Sequence, residues 1–208
     1  MRIIEPSIKI ESNITQDEAV SLIERAGRVC YKSEDRIQEG SGEKFIKGIL
    51  ARGHESVIEH VSVTVRIICD RGVTHEIVRH RIASYSQEST RYCNYTVDKF
   101  SNEITVVRPV FWDEGMPEYR RWKEAVLGCE KAYFGLINAG ASPQEARSVL
   151  PNSLKTEIFV TMNFREWRYF FKLRCSEAAH PQMRQVANMI LNEFRVKYPL
   201  FVEDVVVD

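Results

Sequence analysis
Val61-Ser62-Val63-Thr64-Val65-Arg66-Ile67-Ile68-Cys69 alternates apolar and polar side chains along most of its length. A period of two marks a β-strand with one buried face, and Asp70-Arg71-Gly72 reads as the turn that follows. Thr156, Ile158, Val160 and Met162 repeat the period and predict a second strand. The other strongly patterned segments are helical. From Thr15, an N-cap followed by acids, the positions Ala19, Leu22, Ile23, Ala26, Val29 and Cys30 keep helical spacing. A shorter helix is predicted over 44–52, stopped by Gly53, a residue suited to positive φ just past a helix end. Pro117 opens a long helix with Trp122, Val126, Cys129, Tyr133, Leu136 and Ile137 on one face, ending at Gly140. Ser142-Pro143-Gln144-Glu145 is a capping box for a helix closed by Leu150-Pro151. The last helix runs from Pro181 to Lys197, with Met183, Val186, Ala187, Ile190, Leu191 and Phe194 on one stripe. Few strands among many helices give a mixed α and β class and argue against a large doubly wound parallel sheet.

The chain has 208 residues, 44% hydrophobic and 28% charged. That is long enough to bury a core without disulfides, and it excludes disordered, collagenous and mucin-like chains. No apolar run approaches the roughly 20 residues of a membrane span, and Met1-Arg2-Ile3-Ile4-Glu5-Pro6 has no signal-peptide core. A soluble, cytoplasmic protein without membrane association is expected. Lys and Arg number 29 against 29 Asp and Glu, so the basic excess of a nucleic-acid binder is missing and any anion site has to be local. Cys30, Cys69, Cys93, Cys129 and Cys175 are odd in number and widely spaced, with no C-x-x-C. They predict reduced, mostly buried thiols, and neither a disulfide framework nor a zinc ribbon.

The most unusual stretch is Arg79-His80-Arg81-Ile82-Ala83-Ser84-Tyr85-Ser86-Gln87-Glu88-Ser89-Thr90-Arg91-Tyr92, with three arginines, a histidine, three serines and two tyrosines in fourteen residues. Guanidinium forks grip phosphate or carboxylate at two points. Hydroxyls and backbone N–H groups add neutral donors, and tyrosines stack on flat rings. A solvated basic loop and an RNA-binding patch use the same ingredients. Gly53-His54-Glu55-Ser56-Val57-Ile58-Glu59-His60 clusters two histidines with two carboxylates, and 165–174 sets Arg165, Arg168, Lys172 and Arg174 among Trp167, Tyr169, Phe170 and Phe171. His75-Glu76-Ile77-Val78-Arg79-His80 is one residue longer than the H-E-x-x-H zinc pattern. Positions five apart diverge by about 140° around a helix, so no metal site is assigned. Neither G-x-G-x-x-G nor a P-loop occurs, and a nucleotide cofactor would be held by arginines instead of a Rossmann turn.

Arg79-His80-Arg81, a seven-residue gap and Ser89 resemble the signature of the flavin-dependent thymidylate synthases. Ser89-Thr90-Arg91-Tyr92 continues the match. Gly53-His54-Glu55 with Glu59-His60, Ala146-Arg147 with Leu150-Pro151, Thr161-Met162-Asn163 and Leu173-Arg174 resemble further family blocks in family order, over about 26–184. The resemblance implies methylation of dUMP to dTMP, with methylenetetrahydrofolate as carbon donor, NADPH as reductant and bound FAD as mediator. It implies an α/β fold of the α+β type, in which a central, mainly antiparallel sheet is flanked by helices in a single domain over residues 1–208. It also implies a homotetramer with active sites between subunits.

Site residues carry over by the same resemblance. Arg79, His80 and Arg81, with Ser56, Glu59, Asn163 and Arg165, belong to the FAD site. Glu76, Gln87, Glu88, Ser89, Thr90, Arg91, Arg147 and Arg174 bind dUMP, Arg174 towards the uracil, while His54 and Tyr92 lie on the folate and NADPH side. Arg174, Ser89 and His54 are the catalytic candidates; Ser89 is expected to bind rather than attack, because no histidine stands beside it in sequence. The chain departs from relatives at Glu76 (often glutamine), Tyr169 (asparagine in some), Ala178 (histidine in some) and Cys30 (serine in some), and packing is the expected role of Cys30 and Tyr169. Two other classes use part of the pattern. A single-stranded nucleic-acid binder predicts steep salt dependence and no chromophore; a metal-dependent hydrolase using His54, His60, His75 or His80 predicts bound zinc.

Overall fold
The computed structural model describes residues 1–96 and 102–206. Its strands are β1 (Arg2–Ile4), β2 (Ser7–Ile10), β3 (Ser62–Asp70), β4 (Ser84–Gln87), β5 (Thr105–Val107) and β6 (Lys155–Asn163). Its helices are α1 (Gln16–Val29), α2 (Ser41–Ala51), α3 (Arg71–Ile77), α4 (Pro117–Asn138), α5 (Pro143–Ala146), α6 (Phe164–Arg174), α7 (Pro181–Lys197) and α8 (Pro199–Val202).

The two alternating runs are the sheet's inner strands. β3 buries Val63, Val65, Ile67 and Cys69, and β6 buries Thr156, Ile158, Val160 and Met162, each on one face. The sheet order is β2-β3-β6-β4. Thr64 Oγ1 lies 2.9 Å from Thr161 Oγ1, whereas the Arg71 N–H just past β3 donates to Leu154 O at 3.2 Å. Advancing along β3 therefore means going back along β6, which is antiparallel pairing. The expected α+β class, with a mainly antiparallel sheet flanked by helices, is what the chain adopts. Apart from this sheet, β1 and β5 form a parallel pair with Ile3 opposite Val106.

The chain divides into two compact units, Met1–Ser7, Ile67–Arg79 and Ser86–Ile158 in the first, and Ile8–Arg66, His80–Tyr85 and Phe159–Asp208 in the second. The first unit's core joins Tyr95, Ile104, Val106, Val126, Tyr133, Ala146 and Leu154. In the second, α6, α7 and α8 interlock through rings. Phe164 stacks on Phe201 with centroids 4.1 Å apart, and Trp167 meets Phe170, Phe171 and Phe194 at 5.3 to 5.8 Å. Such pairs contribute about 0.5–1.5 kcal/mol each beyond their buried area. The Trp167 indole also donates to Val63 O at 3.0 Å.

Helix ends follow the sequence closely. Thr15 and Glu18 form a capping box for α1, and Ser142 and Glu145 form one for α5. Gly53 has φ 68°, and beyond it the His54 N–H returns to Ile49 O at 2.9 Å, closing α2 in a Schellman motif. Four expectations need correction. Asp70-Arg71-Gly72 is no turn: Asp70 accepts from Val73 N at 2.8 Å and starts α3 directly from the strand. α2 begins at Ser41 rather than 44, because the Ser41 hydroxyl is held by Glu24 of α1 at 2.8 Å. Cys30 and Tyr169 are exposed rather than packed, and of the five thiols only Cys69 and Cys175 are fully buried.

Trp167→Phe removes the bond to Val63 and leaves a void among the rings. We expect a loss of about 2–4 kcal/mol, read as a lowered Tm in thermal unfolding.

Candidate active site
Predicted site residues occur in each of the two compact units. In the first, β4 runs into a turn carrying Glu88, Ser89, Thr90 and Arg91. The Gln87 amide donates to Thr74 Oγ1 at 3.0 Å and to Thr156 Oγ1 at 3.2 Å, tying β4 to α3 and β6. Glu88 donates its N–H to Glu157 O at 2.8 Å and pairs its carboxylate with Lys155 at 2.7 Å. Ser89 Oγ accepts from the Arg91 N–H at 3.3 Å, and Ser89 O accepts from the N–H groups of Tyr92 and Cys93. Arg147, 57 residues away, reaches the same turn through Thr90 Oγ1 at 3.4 Å. Arg91 lies over the exposed Tyr92 ring at 5.4 Å. Arg91 and Arg147 are exposed, Glu76 half-buried on α3 and Thr90 buried. The result is a turn with two guanidinium groups and the Ser89 hydroxyl, the cationic equipment of an anion site, while the N–H groups of Glu88, Arg91, Tyr92 and Cys93 are already bonded within the unit.

In the second unit a cleft of about 400 Å³ is lined by Glu55, Glu59, Ile82, Asn163, Arg165, Glu166, Tyr169 and Lys172. Asn163 ends β6 and caps α6, its Oδ1 accepting from Glu166 N at 2.9 Å. Arg165 pairs with Glu59, both largely exposed, and Lys172 lies 4.0 Å from Glu55. Ile82 and Tyr169 offer exposed apolar surface at 68% and 56%. His54, Ser56 and Arg81 are exposed in this unit, as is Arg79 in the first.

His80 differs from the arginines on either side. It is 3% exposed, and its ring contacts Tyr169 and Phe170 at 5.6 and 5.0 Å. Nδ1 lies 2.9 Å from Glu166 Oε1, and Nε2 lies 3.2 Å from Nε of the half-buried Arg174. An arginine Nε can only donate, so Nε2 accepts and the ring proton sits on Nδ1, donated to Glu166. Burial, the largest influence, pulls the His80 pKa below 6.5 against the attraction of Glu166, with Arg174 adding to the lowering. The Tyr85 hydroxyl donates to His80 O, and burial and the Glu166 charge push that phenol up to about 12.

The sequence reading missed Glu166, Thr74, Thr156 and Lys155 as members of these clusters. Asn163-x-x-Glu166 has the spacing of a capping box and could have announced α6, but the bond from Glu166 to His80 spans 86 residues. No group of three or more His, Cys, Asp and Glu side chains among the described residues could hold a metal ion.

A family model described as thymidylate synthase complementing protein matches residues 13–200, which defines the class of this α+β chain. Among curated relatives, the flavin-dependent thymidylate synthase of Pyrococcus furiosus is 41% identical over 83% of this chain and 70% of its own length. That of Geobacter sulfurreducens is 37% identical over 86% and 78%, and that of Corynebacterium glutamicum 34% over 93% and 82%. The chain belongs to the flavin-dependent thymidylate synthase family. Its fold matches that of a UMP/dUMP methylase, PolB from Streptomyces cacaoi bound with 5-Br dUMP, with a TM-score of 0.79 and 23% identity, covering 98% of this chain and 96% of that one.

A lowered His80 pKa means that the unfolded chain binds the proton more readily. The resulting stabilisation is complete above pH 6.5 and is lost as pH falls through the lower native value. The Tm advantage of the wild type over His80→Gln therefore shrinks between about pH 7 and pH 5; a constant advantage would contradict a buried neutral ring.

Proposed function
We propose that the chain methylates dUMP to dTMP, with methylenetetrahydrofolate as carbon donor, NADPH as reductant and FAD as cofactor. The observation that carries this reading is the bond from Arg147 to Thr90, which sets a second guanidinium against the turn already holding Ser89 and Arg91. A nucleotide phosphate there would meet two permanent cations and a hydroxyl. Ser89 Oγ accepts from the Arg91 N–H and has no histidine bonded to it among the described residues, which supports a binding role for Ser89 over a nucleophilic one.

The residues of the cleft fit a flavin. Tyr169 and Ile82 supply a flat wall, the Asn163 amide a donor, and Arg165 and Lys172 positive charge for phosphates. The exposed Arg165–Glu59 pair costs little to open. A volume of about 400 Å³ suits one ring system of a dinucleotide rather than the whole, which favours the homotetramer with shared sites that the resemblance implies. Bound FAD would supply hydride chemistry that no amino-acid side chain provides.

This chain's own part is orientation and charge. Uracil C5 is a poor nucleophile, and activating it builds negative charge on the pyrimidine oxygens. A fixed guanidinium, Arg174, stabilises that charge without reorganising. His54 and Tyr92, both exposed, stand for the folate and NADPH side. None of the five cysteines forms a disulfide and no described helix is long and apolar enough to cross a membrane, in keeping with work in the reducing cytoplasm.

The purified protein is expected to be yellow and to release tritium from C5-labelled dUMP only with NADPH and methylenetetrahydrofolate present; a colourless protein without tritium release overturns the reading. Arg174→Lys loses the planar fork and should weaken dUMP binding about tenfold while leaving the flavin spectrum unchanged. In Ser89→Ala, weakened dUMP binding with residual turnover fits a binding role, whereas full binding with no turnover would make Ser89 the nucleophile.

A further inference from the structure
We propose that Glu166 and His80 form a relay that orients the Arg174 guanidinium towards the substrate pyrimidine, a proposal that rests on the reading of dUMP as substrate. Glu166 opens α6 and Arg174 ends it. Eight residues of helix rise separate them by about 12 Å, too far for a direct ion pair, and the imidazole bridges the gap. Its two bonds, 2.9 Å to Glu166 and 3.2 Å to Arg174, use both ring nitrogens. The ring is held by Phe170 and Tyr169 and, through the backbone, by the Tyr85 hydroxyl. The Asn163 cap fixes the turn that carries Glu166.

A bond at Nε fixes the plane in which the two terminal guanidinium nitrogens lie, and with it the direction of a two-point grip on a flat substrate. The carboxylate is what makes Nε2 an acceptor. With no acceptor at Nδ1, the proton is free to move to Nε2, and two donors would then face each other. Protonation of the ring has the same effect and adds cation against cation. The titratable or charged groups facing the ring are Glu166, Arg174, Tyr85 and Tyr169, and burial favours the neutral form. Glu166 and His80 are thus positioning residues that act through Arg174.

Paired variants test this in the FAD-loaded protein. The His80→Gln carbonyl reaches the Nε2 position and can accept from Arg174; the His80→Asn amide reaches only the Nδ1 position. His80→Gln should bind dUMP about tenfold more tightly than His80→Asn at equal flavin content. Glu166→Leu should raise the KM for dUMP by a similar factor in correctly folded, flavin-loaded protein. The Nε–H resonance of Arg174, observed with isotope-labelled arginine and assigned by its loss in Arg174→Lys, should be hydrogen-bonded in wild type and His80→Gln but not in His80→Asn. Equal dUMP affinity in the two His80 variants, or an unchanged Arg174 signal in His80→Asn, overturns the relay. Wild-type protein that makes no dTMP and binds no dUMP overturns the substrate reading instead, and the Arg174 signal still decides the relay's geometry.

Discussion
The antiparallel pairing of β3 with β6 is the constraint on which the structure depends, because each of these strands runs without a loop into a helix that bears site residues. Asp70 ends β3 and caps α3; Asn163 ends β6 and caps α6. Both have extended backbones, φ −81° with ψ 165° and φ −73° with ψ 167°, and both accept an N–H from the third helical residue. A short polar side chain thus converts strand to helix in a single residue. Within its own unit, each strand's register, set by one buried face, thereby sets where the following helix begins, α3 after Asp70 and α6 after Asn163.

Burial separates what the linear motif joins. Arg79 and Arg81 project into solvent, whereas His80 between them is enclosed and neutral. A charged side chain is enclosed in the same unit: Arg168, 2% exposed, binds both carboxylate oxygens of Asp204, Phe201 O and Glu55. Glu55 lines the cleft, so one of its walls is anchored to the segment that follows α8. Asp204 is itself exposed, but removing its carboxylate would take away the main ionic partner of the buried Arg168 guanidinium. Its value here is geometric, since a cleft built from opposed charges needs fixed directions.

Much was legible before any coordinates. Thr15, Gly53, Ser142 and Pro181 marked helix boundaries correctly because caps and positive-φ positions are local chemistry. The Arg79-His80-Arg81 and Ser89 signature named the family. The short strands β1, β2, β4 and β5 were not seen, because three or four residues carry too little periodicity. The start of α3 reads as a turn in the sequence, since Asp, Arg and Gly serve both a turn and a helix start.

The sequence by itself determined the class, the two inner strands, most helix ends and the identity of the polar residues, all of which follow from spacing and local bonding. Only the tertiary structure decided which nitrogen of His80 carries the proton, that Glu166 belongs beside it, and that Gln87 ties β4 to α3 and β6. Those facts depend on partners 13 to 94 residues apart and on exclusion of water. Neither distance nor dielectric is written in the order of the residues.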